Sequence, residues 1–210
     1  MSRRRIVVTA LTFSRLPLIF AWFALAIAGE LRESIVLGVL AALSMFFAGV
    51  SDAFDGLLAR RWNEVSALGK MADPLMDKVF YVVAFPTLVW MAMHQGDCCH
   101  SLVLLVFAVL CILRDLWVTF MRSVGSLYGA DCAAMWLGKV RTALSFPFAG
   151  LVYIYLIANA FLPPAASSAA RMACFAMEAA MIALNAVSFV SYTRAYAPYL
   201  KLALDRGREI

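Results

Sequence analysis

Four aspartates, Asp52, Asp55, Asp73 and Asp77, crowd into one stretch of an otherwise apolar chain, with Gly56, Ala59, Arg60 and Gly69 among them. The stretch reads Asp-x2-Asp-Gly-x2-Ala-Arg-x8-Gly-x3-Asp-x3-Asp. Carboxylates this dense repel one another unless cations sit between them, and a donor set made only of oxygen suits Mg2+ or Mn2+. Asp52, Asp55, Gly56 and Ala59 fall at i, i+3, i+4 and i+7 and share one helical face; Gly69, Asp73 and Asp77 share another at i, i+4 and i+8. Residues 61–68 are polar enough to turn the chain. Two antiparallel helices would then set the carboxylate pairs against each other around one or two divalent ions, with coordination positions left for phosphate. The small residues would let a bulky group approach the backbone. Small residues also serve plain helix packing, but that explanation gives no reason for the aspartates at the same spacing.

The elements that carry these residues are membrane helices. The chain of 210 residues is 64% hydrophobic and 15% charged, with a mean hydropathy of +0.86, far from the quarter-charged soluble domain. Six apolar stretches cover roughly residues 10–28, 34–60, 72–94, 101–125, 139–162 and 171–192, each long enough to cross about 30 Å of hydrocarbon. No alternating pattern suggests a barrel, so the fold class expected is all-α, a polytopic bundle of six transmembrane helices forming one domain over residues 1–210. Residues 2–9 read as a basic lead-in that an interfacial helix would suit, and Pro163-Pro164 separates the fifth span from the sixth. Arg3, Arg4, Arg5, Arg60, Arg61, Lys70, Arg122, Lys139, Arg141, Arg194, Lys201, Arg206 and Arg208 gather at one set of helix ends, against Arg32 and Arg171 at the other. That asymmetry places both termini and the aspartates on the cytoplasmic side. The net charge of +5 reflects these flanking residues and points to an anionic lipid surface rather than nucleic acid.

Other polar groups are read as structural. The five cysteines do not describe a disulfide framework. The segment from His94 to His100, with Cys98 and Cys99, is expected to be a short polar loop, since its spacing matches no metal motif. Ala26-Ile27-Ala28-Gly29 mimics a signal cleavage site, but Arg15 interrupts the apolar run before it, so a retained first helix is expected. Arg15 itself faces the interior towards a phosphate or an acid, or else snorkels to the interface. Lys78, about 100° around the helix from Asp77, is expected to make a structural pair. Glu178 and Asn185 share a face and suit interhelical hydrogen bonding or a dimer contact.

The complete pattern from Asp52 to Asp77 resembles that of the CDP-alcohol phosphatidyltransferases, integral membrane enzymes that move a phosphatidyl group from a CDP-activated lipid to an alcohol and release CMP. Every fixed position is matched. The resemblance implies CDP-diacylglycerol as donor, a homodimer, and Mg2+ or Mn2+, as two ions, held by Asp52, Asp55, Asp73 and Asp77. It further implies that Asp77 acts as general base on the acceptor hydroxyl and that Gly56, Ala59 and Gly69 shape the cytidine pocket. Arg60 would contact phosphate or pair with a motif aspartate. A bacterial inner-membrane location, with the active site facing the cytoplasm, follows from the same likeness and the charge asymmetry.

A second polar group is placed to select the acceptor. Arg114-Asp115, Arg122 and Gly138-Lys139-Val140-Arg141-Thr142 lie towards the same ends of spans four and five as the aspartates. Arg114, Arg122, Lys139 and Arg141 would bind an anionic headgroup, although positive-inside decoration explains Lys139 or Arg141 singly. The string from Ile112 to Thr142 is similar to that of phosphatidylglycerophosphate synthases, which use glycerol 3-phosphate, and Leu11-Thr12-x-x-Arg15 resembles their first helix. Val8-Thr9 stand where Pro-Asn is usual, Asp115 where glutamate is, and Ser145 where glutamine is. Phosphatidylglycerol and inositol phosphate are the alternative acceptors. From a different class, a cation transporter would use the aspartates as an ion site, but gives no reason for Gly56, Ala59, Arg60 and Gly69.

Overall fold

The computed structural model describes residues 3–62, 67–130 and 135–206, with the side chains of residues 3–8, 53, 59, 60, 67–71, 73, 74 and 206 outside that description. Its elements are α1 (Arg3–Leu31), α2 (Ile35–Arg61), α3 (Ala67–His94), α4 (Cys98–Leu127), α5 (Trp136–Ala158) and α6 (Pro164–Arg206), with a 3-10 turn at Asn159–Phe161. All six helices are long and apolar enough to cross a membrane, and no strand occurs among the described residues. Two boundaries differ from expectation. The basic lead-in is the first turns of α1, which continues unbroken through Arg15 and Pro17. The sixth helix runs well past residue 192; its 43 residues rise about 65 Å, roughly twice the hydrocarbon thickness. Both extensions carry charge, Arg3, Arg4 and Arg5 in one and Arg194, Lys201 and Arg206 in the other, so hydropathy alone does not mark the full length of either helix.

Helix α1 packs on α2 and α3, α4 on α3 and α6, and α5 on α2, α3 and α6. Lipid tails are as apolar as leucine, so these contacts depend on shape and polar ties rather than on escape from water. Phe80, Phe85, Phe107, Phe146 and Phe148 interlock at the centre, with Phe85 and Phe107 edge to face at 4.8 Å. Trp22 meets Tyr153 edge-on at 5.5 Å, and the Tyr153 hydroxyl donates to the Gly38 carbonyl at 3.0 Å, tying α1, α5 and α2 together. Phe20, Phe46, Phe47 and Leu102 are left exposed on the outside of the bundle, as a lipid-facing surface requires.

The α3–α4 connection is a tight turn rather than a loop. Gly96 (φ +80°) ends α3, with its N–H on Met93 O and the Asp97 N–H on Ala92 O, both at 3.0 Å, the paired bonds of a Schellman cap. Asp97 then caps α4 by accepting from the His100 N–H at 3.0 Å and takes two 2.6 Å hydrogen bonds from Arg171 of α6. His100 is fully buried in the first turn of α4, its Nε2 2.6 Å from Glu178 Oε1. The expected polar loop is thus the clasp of one end of the bundle. Of the two readings for Glu178, the interhelical bond is the one present.

Candidate active site

At the opposite end, where α1, α3 and α5 begin and α2, α4 and α6 end, the helices part around an open cavity of ≈ 970 Å³. Its acidic wall comes from α2 and α3. Asp52, Asp55 and Gly56 line it from α2, and Asp77 from α3, the shared faces that the i, i+3, i+4 spacing dictates. Asp55 is 5% exposed, whereas the Asp52 side chain is 57% exposed. Arg15 of α1 reaches both: its Nη2 donates to Asp55 Oδ2 at 2.6 Å, and Nη1 pairs with Asp52 Oδ1. A charge as deep as Asp55 is costly without such a partner. The α1–α2 seam beside it is polar as well. Ser51 Oγ donates to Leu11 O at 2.9 Å and lies 3.0 Å from Ser14 Oγ.

The basic wall comes from α4 and α5. Arg114, Arg122 and Lys139 line the cavity, as Lys78, Thr119 and Tyr192 do. Arg114 is fixed on three sides: Nη1 donates to Asp115 Oδ1 at 2.8 Å, Nη2 bonds Ser188 Oγ, and the guanidinium lies 5.1 Å from the centre of the Tyr192 ring. The Met135 N–H donates to the Tyr192 hydroxyl at 2.9 Å, holding the start of α5 against α6. Gly138 permits that approach. A Cβ there would lie 2.7 Å from Tyr192 Oη, closer than real side chains come.

Arg141 is placed differently from the expectation. It is 1% exposed and does not line the cavity. Its Nη2 forks onto both Asp115 oxygens at 2.7 Å, and Nη1 reaches Cys111 Sγ at 3.3 Å and Asn185 Oδ1 at 3.4 Å. Asp115 therefore joins Arg141 behind the wall to Arg114 in it. Arg141 braces the wall, because its charge is already met by a bidentate partner. Lys78 pairs with α4 by donating to Thr119 Oγ1 at 3.1 Å, in keeping with the structural pair expected of it, and it also lines the cavity with Asp77. Adjacent helical residues diverge by about 100°, and the cavity is wide enough to admit both.

The side chains of Ala59, Arg60, Gly69 and Asp73, and residues 131–134 with Asp131 and Cys132, lie outside the described part. Asp73 falls one helical turn before Asp77 on α3. Among the described residues no three His, Cys, Asp or Glu side chains gather closely enough to hold an ion. The donor chemistry nonetheless fits hard divalent cations: Asp52, Asp55 and Asp77 present only carboxylate oxygen to one cavity. The Arg15 contact escaped the sequence reading in part. A buried arginine in a first span signals an acid or phosphate, but nothing local says that it will take both Asp52 and Asp55.

The pattern of a family described as CDP-alcohol phosphatidyltransferase matches residues 5–193. A CDP-diacylglycerol–glycerol-3-phosphate 3-phosphatidyltransferase of Pectobacterium atrosepticum is 37% identical over 106 residues, 50% of this chain and 54% of that protein. Proteins of the same name from Haemophilus influenzae and Escherichia coli K12 are 34% and 36% identical over 116 and 104 residues, which are 54% and 49% of this chain and 59% and 53% of theirs. The chain spans about half the length of the curated relatives it matches.

Proposed function

Because the chain belongs to the CDP-alcohol phosphatidyltransferase family, we propose that it transfers a phosphatidyl group from CDP-diacylglycerol to glycerol 3-phosphate, giving phosphatidylglycerophosphate and CMP in phospholipid synthesis. One observation carries the reading: a single cavity at one end of the bundle faces Asp52, Asp55 and Asp77 on one wall with Arg114, Arg122 and Lys139 on another. An anionic acceptor can then lie on the basic wall with its hydroxyl turned to the acidic one.

In this reading Asp77 accepts the proton of the acceptor hydroxyl, the oxygen forms its bond to the phosphatidyl phosphorus, and the bond to CMP breaks in line. Arg122, Lys139 and Arg114 hold the acceptor phosphate, with Arg114 kept in place by Asp115, Ser188 and Tyr192. Gly56, Ala59 and Gly69 make room for the cytidine, and Arg60 stands beside them on α2. Asp52, Asp55, Asp73 and Asp77 would hold two Mg2+ or Mn2+ ions, which when bound neutralise the diphosphate and stabilise CMP as it leaves. Entry of those cations requires Arg15 to yield at least part of its hold on Asp52 and Asp55. The same reading has the protein in a bacterial inner membrane as a homodimer, with the cavity open to the cytoplasm and the lipid tails among the helices.

The test is CMP release by purified protein with CDP-diacylglycerol, Mg2+ or Mn2+ and a panel of alcohols. Release with glycerol 3-phosphate, absent in Asp77→Asn, is the expected result. Release only with inositol phosphate or phosphatidylglycerol would keep the chemistry and replace the acceptor. Cation flux in proteoliposomes with no CMP release would support a transporter instead.

A further inference from the structure

Lys78, like Lys139, is a cavity cation with no carboxylate partner among the described residues. Arg15 is paired with Asp52 and Asp55, and Arg114 with Asp115. Among the described residues the Lys78 ammonium donates to the Thr119 hydroxyl, at 3.1 Å, and pairs with no carboxylate. Thr119 spends its own proton on the Asp115 backbone carbonyl at 2.7 Å, so it offers Lys78 a lone pair and no charge. An ammonium has three donors, and a neutral hydroxyl satisfies one. A cation in a membrane-embedded cavity favours the arrival of an anion that it can bind. Its neighbour in the chain is Asp77, and Arg122 and Lys139 line the same cavity.

We infer that Lys78 is a specificity-determining residue that binds the phosphate of a phosphomonoester acceptor, a role resting on the function proposed above. Thr119 parks the ammonium while the acceptor is absent. In glycerol 3-phosphate the anionic group and the distal hydroxyl sit at opposite ends of a three-carbon chain. Lys78 and Asp77, a long cation and a short base on consecutive residues, can engage the two ends together, so an alcohol without the phosphate loses its anchor.

Steady-state kinetics of the full chain in lipid–detergent micelles separate this role from that of a mere α3–α4 tether. Lys78→Gln should raise the KM for glycerol 3-phosphate by about tenfold or more, as loss of a charge-assisted hydrogen bond implies. The KM for CDP-diacylglycerol should stay within about threefold, and Lys78→Arg should restore most of the acceptor affinity. Thr119→Val breaks the parking bond but keeps the charge, so its acceptor KM should also stay within about threefold. Equal acceptor defects in Lys78→Gln and Thr119→Val, or a defect confined to the donor, would overturn the inference. Should Lys78→Gln not fold, acetylation of wild-type Lys78, read by mass spectrometry, should be suppressed by glycerol 3-phosphate. Equal acetylation with and without it would likewise overturn the role. Wild-type turnover with an unmoved acceptor KM in Lys78→Gln defeats this inference alone; no wild-type turnover with any phosphate-bearing acceptor defeats the functional reading beneath it.

Discussion

Asp55 illustrates how a membrane interior constrains single residues. At 5% exposure its carboxylate depends on Arg15, and removing one member of a buried pair costs more than the pair contributes. Arg15→Gln should therefore lower stability by about 3–5 kcal/mol, and Arg15→Gln with Asp55→Asn should recover part of the loss. Unfolding of the two variants in detergent measures this; equal losses would show that Arg15 does not hold Asp55. At the far end of the bundle the titrating residue is Asp97. Burial pushes its carboxyl up, but the two hydrogen bonds from Arg171 and the His100 N–H outweigh that and hold it below the ordinary 3.8. A depressed folded-state value means that the clasp's contribution is complete above pH 3.8 and is lost as pH falls through the lowered value. Thermal midpoints taken from pH 5 downward should fall in the wild type and less steeply in Arg171→Gln. Parallel curves would rule out the clasp as the source.

Pairs of helices meet at the site through a few close approaches, and Gly138 makes one of them. Its α5 backbone lies where a Cβ would strike Tyr192 Oη of α6 at 2.7 Å. Gly138→Ala should cost about 1–3 kcal/mol as an overpacked contact, and Tyr192→Phe should relieve it by removing the oxygen that clashes. If the second change adds to the damage, the approach is not what Gly138 secures. The sequence revealed the six helices well because each carries an apolar stretch of membrane length. It did not show that the lead-in is continuous with the first span or that α6 reaches Arg206, because those turns carry arginine and lysine, and hydropathy reports lipid contact rather than helicity. Within the site, the shared faces of the aspartate pattern were legible from spacing alone. The place of Arg141 was not. An arginine bracing a wall, an arginine binding phosphate and an arginine marking the cytoplasmic side have the same letter, and only Asp115, across the α4–α5 contact, decides which Arg141 is.

The whole molecule is polar at its two ends in different ways. One end holds the cavity with its opposed acidic and basic walls; the other is closed by the clasp of Asp97, His100, Arg171 and Glu178. Cys98 and Cys99 are exposed at the clasped end, which the basic-residue asymmetry assigns to the outside. A variant keeping only these two cysteines should react with a membrane-impermeant maleimide in intact spheroplasts. Reaction only after permeabilisation would invert the orientation and put the cavity outside. Transfer itself is tested most directly by following radiolabelled glycerol 3-phosphate from water into lipid. With CDP-diacylglycerol and Mg2+ or Mn2+, label should enter the lipid phase in step with CMP release, and Asp77→Asn should abolish both. Folded, metal-supplied protein that releases CMP while the label stays in water would contradict glycerol 3-phosphate as the acceptor; failure to release CMP with any alcohol would contradict phosphatidyl transfer altogether.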